Sequence, residues 1–162
     1  MPDPRGVLEY LYENERDKIL NMQPSREMDV LIAERVMDWD VHSKWIGKFD
    51  PENDYECSYI IDEPPDDCPD EWKCVTGQII SRRVPDFSTK IENAVEVLDK
   101  FDVVEIKKIK KMDGSYNWSC NLSNEWITAN TLELAICRAA LLKALKQRFS
   151  MEKRKNEKPL VT

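Results

Sequence analysis

Glycine is scarce in this chain, with four in 162 residues. That scarcity argues against a phosphate cradle made of glycine-rich backbone, and neither Gly-x-Gly-x-x-Gly nor a Gly-Lys-Ser/Thr loop occurs. Histidine is scarcer still. His42 stands alone, so no His-Glu-x-x-His exists, and a histidine-activated nucleophile has one base and no marked Ser or Cys partner. Cys-x-x-Cys is absent, which removes the usual paired-ligand zinc knuckle. No apolar run approaches the roughly 20 residues that span a bilayer. Met1 to Arg16 is acidic and broken by charges, unlike a signal peptide. The cytoplasm of the cell that makes or hosts the protein is the expected compartment. Positive charge is also in deficit. A net charge of −7 argues against non-specific binding to DNA or RNA, whose affinity comes mainly from basic surface.

What is present suits one domain with a real core. Five cysteines, Cys57, Cys68, Cys74, Cys120 and Cys137, form an odd set. Without an export signal they read as reduced thiols, some buried as small apolar groups. Cys57, Cys68, Cys74 and His42 have the donor types of a Cys₃His zinc staple, but their spacing favours unrelated thiols. No metal and no cofactor is expected.

Val7, Leu8, Leu11, Ile19 and Leu20 fall at helical spacing up to about Met22. Gln23-Pro24-Ser25 is a stop followed by a good N-cap. A second helix is predicted from Arg26 to Met37, closed by Trp39. From Asp40 to about Cys74 breakers dominate, with acidic, proline-rich tracts at 50–54 and 62–71. Short strands are predicted over Tyr55–Ile61 and Trp72–Ile80, as an elaborated hairpin with the acidic tract at its tip. Asp86 or Ser88 can cap the next helix, whose core face is predicted as Ile91, Ala94, Val95, Leu98 and Phe101. Val103–Ile109 and Tyr116–Leu122 flank Asp113-Gly114, a strong hairpin signal. Asn130-x-x-Glu133 resembles a capping box. It opens an amphipathic helix to about Phe149, and the charged tail is expected to fray. No internal repeat is present.

The fold expected is α+β, with helices packed on a small antiparallel sheet. Residues 1–24 form an N-terminal helical arm, 25–149 the domain with an insertion at 40–80, and 150–162 a charged flexible tail. The loose N-terminal helices and the long last helix suggest a homo-oligomer.

Three stretches carry a resemblance. They are Leu31-Ile32-Ala33-Glu34-Arg35-Val36-Met37-Asp38-Trp39, Val84-Pro85-Asp86-Phe87-Ser88-Thr89-Lys90-Ile91-Glu92-Asn93-Ala94, and Thr131-Leu132-Glu133-Leu134-Ala135-Ile136-Cys137-Arg138-Ala139-Ala140-Leu141-Leu142. In this order they resemble the phage ABA-sandwich domain, from about Met28 to Leu145 with one interruption. The arm before Ser25 and the long stretch between Trp39 and Val84 depart from it. The resemblance implies a phage accessory protein acting in the host cytoplasm. One role it implies is a sponge that binds a nucleotide-derived immune signal without cleaving it.

The residues themselves favour binding over catalysis. Of five tryptophans, Trp39, Trp118 and Trp126 are candidates to stack on a base. Arg82 and Arg83 precede the turn at Phe87, Ser88 and Thr89, where a helix N-terminus favours an anion. Arg138 lies among apolar helix residues and is a candidate to point into a cleft or an interface. Ordinary roles compete at each position: tryptophan in a small core, Ser88 as a cap, exposed arginines. The acidic tract Asp62–Glu71 offers a different function, docking on a basic patch of a host defence protein. A third reading is a structural or regulatory phage protein with no small ligand. No enzyme and no membrane association is expected.

Overall fold

The structure is a computed structural model that describes residues 4–39, 41–44, 57–62 and 79–157, and for 4–5, 41–44, 57–62, 79–83 and 157 the backbone alone. Its elements run α1 (Pro4–Asn21), α2 (Arg26–Arg35), β1 (Val41–Lys44), β2 (Cys57–Asp62), β3 (Ile79–Arg83), α3 (Ile91–Leu98), β4 (Glu105–Lys110), β5 (Tyr116–Asn121), β6 (Trp126–Ala129) and α4 (Leu132–Glu157).

Local chemistry sets the boundaries. The Ser25 hydroxyl accepts from the Met28 N–H at 3.2 Å and starts α2. Thr131, rather than Asn130, starts α4, because its Oγ1 accepts from the Leu134 N–H at 3.2 Å. Gly114 adopts φ +88° in the β4–β5 turn, where a side chain would be strained. Asp113 braces that turn by accepting from the Ser115 N–H at 2.9 Å.

Two antiparallel sheets form, ordered β1-β2-β3 and β4-β5-β6. α4 is the centre of the molecule. Its residues Leu134 to Leu142 are all buried. A helix buried all round needs partners on every side. α1, α2 and α3 pack on it, and β5 and β6 cover another side. Ile32, Phe87, Ala94, Val97, Cys120, Ile127, Ile136 and Leu141 meet in the resulting core.

The expected α+β class holds, and several details differ. β1 and β6 were not expected, and β3 runs to Arg83, past the predicted end at Ile80. α3 is rotated. Ala94 and Val97 are buried, while Ile91 and Val95 are 38% and 47% exposed. Neither Asp86 nor Ser88 caps α3; the cap position is Lys90, with no side-chain bond. α4 continues to Glu157, eight residues beyond the predicted Phe149. The acidic tract at 63–71, Trp45, Trp72, Cys68 and Cys74 lie outside the described residues. His42 and Cys57 lie on neighbouring strands, opposite Tyr59 and Lys44.

Candidate functional site

The candidate residues separate into groups. Phe87 and Ser88 are buried, at 0% and 1% exposure. The Ser88 N–H donates to Asp29 Oδ1 at 2.7 Å. The Ser88 hydroxyl exchanges hydrogen bonds with the Ser25 backbone, accepting from its N–H at 3.1 Å and donating to its carbonyl at 3.2 Å. Ser88 thus locks the turn to the start of α2. Arg26 Nη1 reinforces the lock, donating to the Val84 carbonyl at 2.9 Å and pairing with Asp86 at 3.0 Å and Asp29 at 3.2 Å. Burial pushes the Asp29 carboxyl above its ordinary range, opposed by its bonds from Ser88. The Phe87 carbonyl accepts from the Cys137 thiol at 3.4 Å, and burial raises that thiol so that it stays a protonated donor. Thr89 follows on the surface.

Trp39 sits half-buried against Phe87, ring centroids 5.9 Å apart. Arg138 reaches across from α4 to the Met22 carbonyl, with Nε at 3.2 Å and Nη2 at 2.8 Å. It closes the C-terminal end of α1. Arg82 and Arg83 stand on β3 opposite Ile60 and Tyr59. Trp39, Phe87 and Ser88 are therefore brought together, with Phe87 and Ser88 buried in the fold.

Trp118 and Trp126 lie elsewhere, on the second sheet. Strand register separates them. Trp118 aligns with Lys108 and Ala129, and packs against the core beside α4. Trp126 aligns with Asn121 and Glu105 and, by alternation, projects from the opposite face. The two rings cannot sandwich one ligand.

The face away from α4 is polar and organised. Lys107 Nζ lies 4.0 Å over the Trp126 ring, which is 36% exposed. Ser119 and Thr128 share a hydrogen bond of 2.6 Å between hydroxyls. Asn121 Nδ2 donates to Glu105 Oε1 at 3.2 Å, and its Oδ1 accepts from the Ser123 and Glu125 N–H groups. One aromatic face, one ammonium and the Thr128 hydroxyl thus share a small exposed patch, over the buried Ser119 and Asn121. On the other face, Lys108 sits 4.1 Å over Tyr116 and 5.4 Å over Trp118. The sequence reading missed Lys107, because only the β4–β5–β6 register places it over Trp126. The alternation of Lys107 with Ile106 and the position of Trp126 were the available signals.

Chemically, such a patch can stack a planar group and hold an anion or hydroxyl beside it. No group of three or more metal-ligating side chains occurs among the described residues. No helix among them is long and apolar enough to cross a membrane.

Fold and face together define an α+β sandwich protein built around a central helix. The phage ABA sandwich domain model matches residues 30–141, most of the chain, and the protein belongs to that family. Among solved structures it is similar to a phage protein from Bacillus cereus ATCC 14579 known from a 2.0 Å crystal structure. That similarity has a TM-score of 0.43 and 21% identity, covering 75% of this chain and 91% of the other. No curated protein matches the chain.

Proposed function

We propose that this phage-family protein is a non-enzymatic counter-defence factor that binds and sequesters a nucleotide-derived host signal in the host cytoplasm. The observation that carries the reading is the Lys107–Trp126 pair on the sheet face away from α4. A base stacks on an indole with little regard to its identity. The Lys107 ammonium, 4.0 Å over that ring, swings aside when a base takes the ring face and is then within reach of the base's phosphate. The exposed Thr128 hydroxyl lies beside the ring, while Ser119 and Asn121 are buried and brace the patch from within. The patch carries no nucleophile paired with a base, so the chemistry it suits is retention rather than turnover.

The test uses the full chain with a panel of cyclic dinucleotides and linear mononucleotides. Titration calorimetry reads binding, and chromatography after heat denaturation reads the fate of the ligand. Sequestration requires saturable binding and intact ligand released on denaturation. Recovery of breakdown products alone, or no binding across the panel, overturns it.

A further inference from the structure

The distal halves of α1 and α4 form an arm with no core of its own. Among the side chains described on α1, only Ile19 is buried, and on α4 no residue beyond Leu145 is. The helices run antiparallel. Tyr12 meets Phe149 with ring centroids 4.6 Å apart, while Met22 meets Arg138. Between them lies an open groove of about 250 Å³, floored by Leu8, Leu11, Tyr12, Leu145 and Phe149. Glu15, Arg148 and Glu152 line its rim. Around it Val7, Tyr10, Leu11 and Met151 are 43%, 71%, 52% and 59% exposed. Two helices alone cannot enclose such side chains, whereas four can.

The charges select the occupant. α1 presents Glu9, Glu13, Glu15 and Asp17 against only Arg16 and Lys18 over residues 6–21. The distal part of α4 presents Lys146, Arg148, Lys153, Arg154 and Lys155 against Glu152 over residues 146–156. A two-fold axis in the plane of this face and parallel to the helices lays the acidic helix of each copy on the basic helix of the other. A two-fold axis perpendicular to the helices would instead oppose like charges. We propose that the α1/α4 arm is a self-association surface, and that a second copy of this chain fills the groove as an isologous four-helix bundle. The surface is remote in sequence from the Lys107–Trp126 patch, so it stands whether or not that patch binds nucleotides.

Sedimentation velocity of the full chain tests it. The expected species has twice the chain mass of 19.0 kDa. Leu11→Asp or Met151→Asp, both at exposed positions, should raise the dimer dissociation constant about tenfold or more, with helicity by circular dichroism unchanged. A specific mixing experiment follows from the two-fold pairing. A chain carrying Glu9→Lys and Glu13→Lys, and a chain carrying Lys153→Glu and Arg154→Glu, should each be monomeric alone and form a heterodimer together. A wild-type chain that stays monomeric overturns the proposal. So does a dimer that persists in both aspartate variants, or a charge-swapped mixture that does not associate.

Discussion

The carboxylate of Asp29, on α2, accepts a 2.7 Å hydrogen bond from the backbone N–H of Ser88, 59 residues away. Asp29 is 2% exposed and Ser88 is 1% exposed, so neither has water as an alternative partner. The bond fixes the turn before α3 against the first turn of α2. Its geometry needs an acceptor more than it needs a charge, and burial already pushes the Asp29 carboxyl upward.

A pair of substitutions separates these contributions. Asp29→Asn keeps an oxygen for the Ser88 N–H and should cost no more than about 1 kcal/mol. Asp29→Ala strands a buried donor and should cost about 1–3 kcal/mol. Denaturant midpoints at constant m-value give both numbers. Equal losses in the two variants would show that the ion pair with Arg26, rather than the acceptor, holds the turn.

Arg138 holds the other end of the arm. Its two bonds to the Met22 carbonyl join the exit of α1 to the middle of α4. Arg138→Met keeps the packing of the aliphatic stem but leaves that carbonyl without its cation, at a cost of about 1–3 kcal/mol. The effect should be local. Hydrogen exchange should quicken over α1 while the buried stretch of α4 stays protected. Uniform loss of protection would mean that Arg138 supports the whole core.

Glu125 gives the fold an acid-sensitive joint. It pairs with Arg16 of α1 and, at 3.0 Å, with Lys146 of α4. Its hydrogen bond from Arg16, helped by Lys146 and opposed by burial, holds its carboxyl down at about 2 against an ordinary 4.5. A depressed carboxylate contributes stability that is complete above the ordinary value and lost as pH falls through the folded one. Glu125→Gln should lower stability by about 1 kcal/mol at neutral pH, given partial solvent screening. That is about 2–4 °C in Tm for a chain of this size. The gap between variant and wild type should shrink from about pH 4.5 and close only below pH 2. A gap independent of pH would place the loss in packing instead.

These interactions show what sequence could and could not reveal. Periodicity from Leu132 to Leu145 marked α4, since a buried helix repeats apolar residues whatever surrounds it. Asp113-Gly114 marked the β4–β5 turn, because few other residues tolerate φ +88°. β6 was invisible, as four residues are too few to show alternation. The rotation of α3 was hidden because Ile91, Ala94, Val95, Val97 and Leu98 offer two apolar faces, and only contact with α4 selects Ala94 and Val97. Ser88 read as a helix cap or anion site for want of knowing Asp29 and Ser25 as its partners. Of the candidate residues, Trp126 was singled out as an aromatic, but Lys107 over it depends on pairing across the sheet, which no local pattern encodes.

The nucleotide binding proposed for the Lys107–Trp126 patch separates into two physically distinct contributions. Trp126→Ala removes a stacking surface and should weaken nucleotide binding by about 1–3 kcal/mol, with little change in salt dependence. Trp126→Phe should recover part of it. Lys107→Gln removes one positive charge, so its loss should be largest at low salt and fade as ionic strength rises. Both side chains are exposed on the sheet face away from α4, and neither variant should move the Tm appreciably. Trp118→Ala is the contrasting variant. It cuts into the side of the sheet packed on the core, so it should lower the Tm, and any binding loss should follow instability. Calorimetric titrations at two salt concentrations, run beside thermal melts, distinguish all four. Identical salt slopes for Lys107→Gln and wild type would remove the ammonium from the site, whereas unchanged affinity in Trp126→Ala would remove the ring.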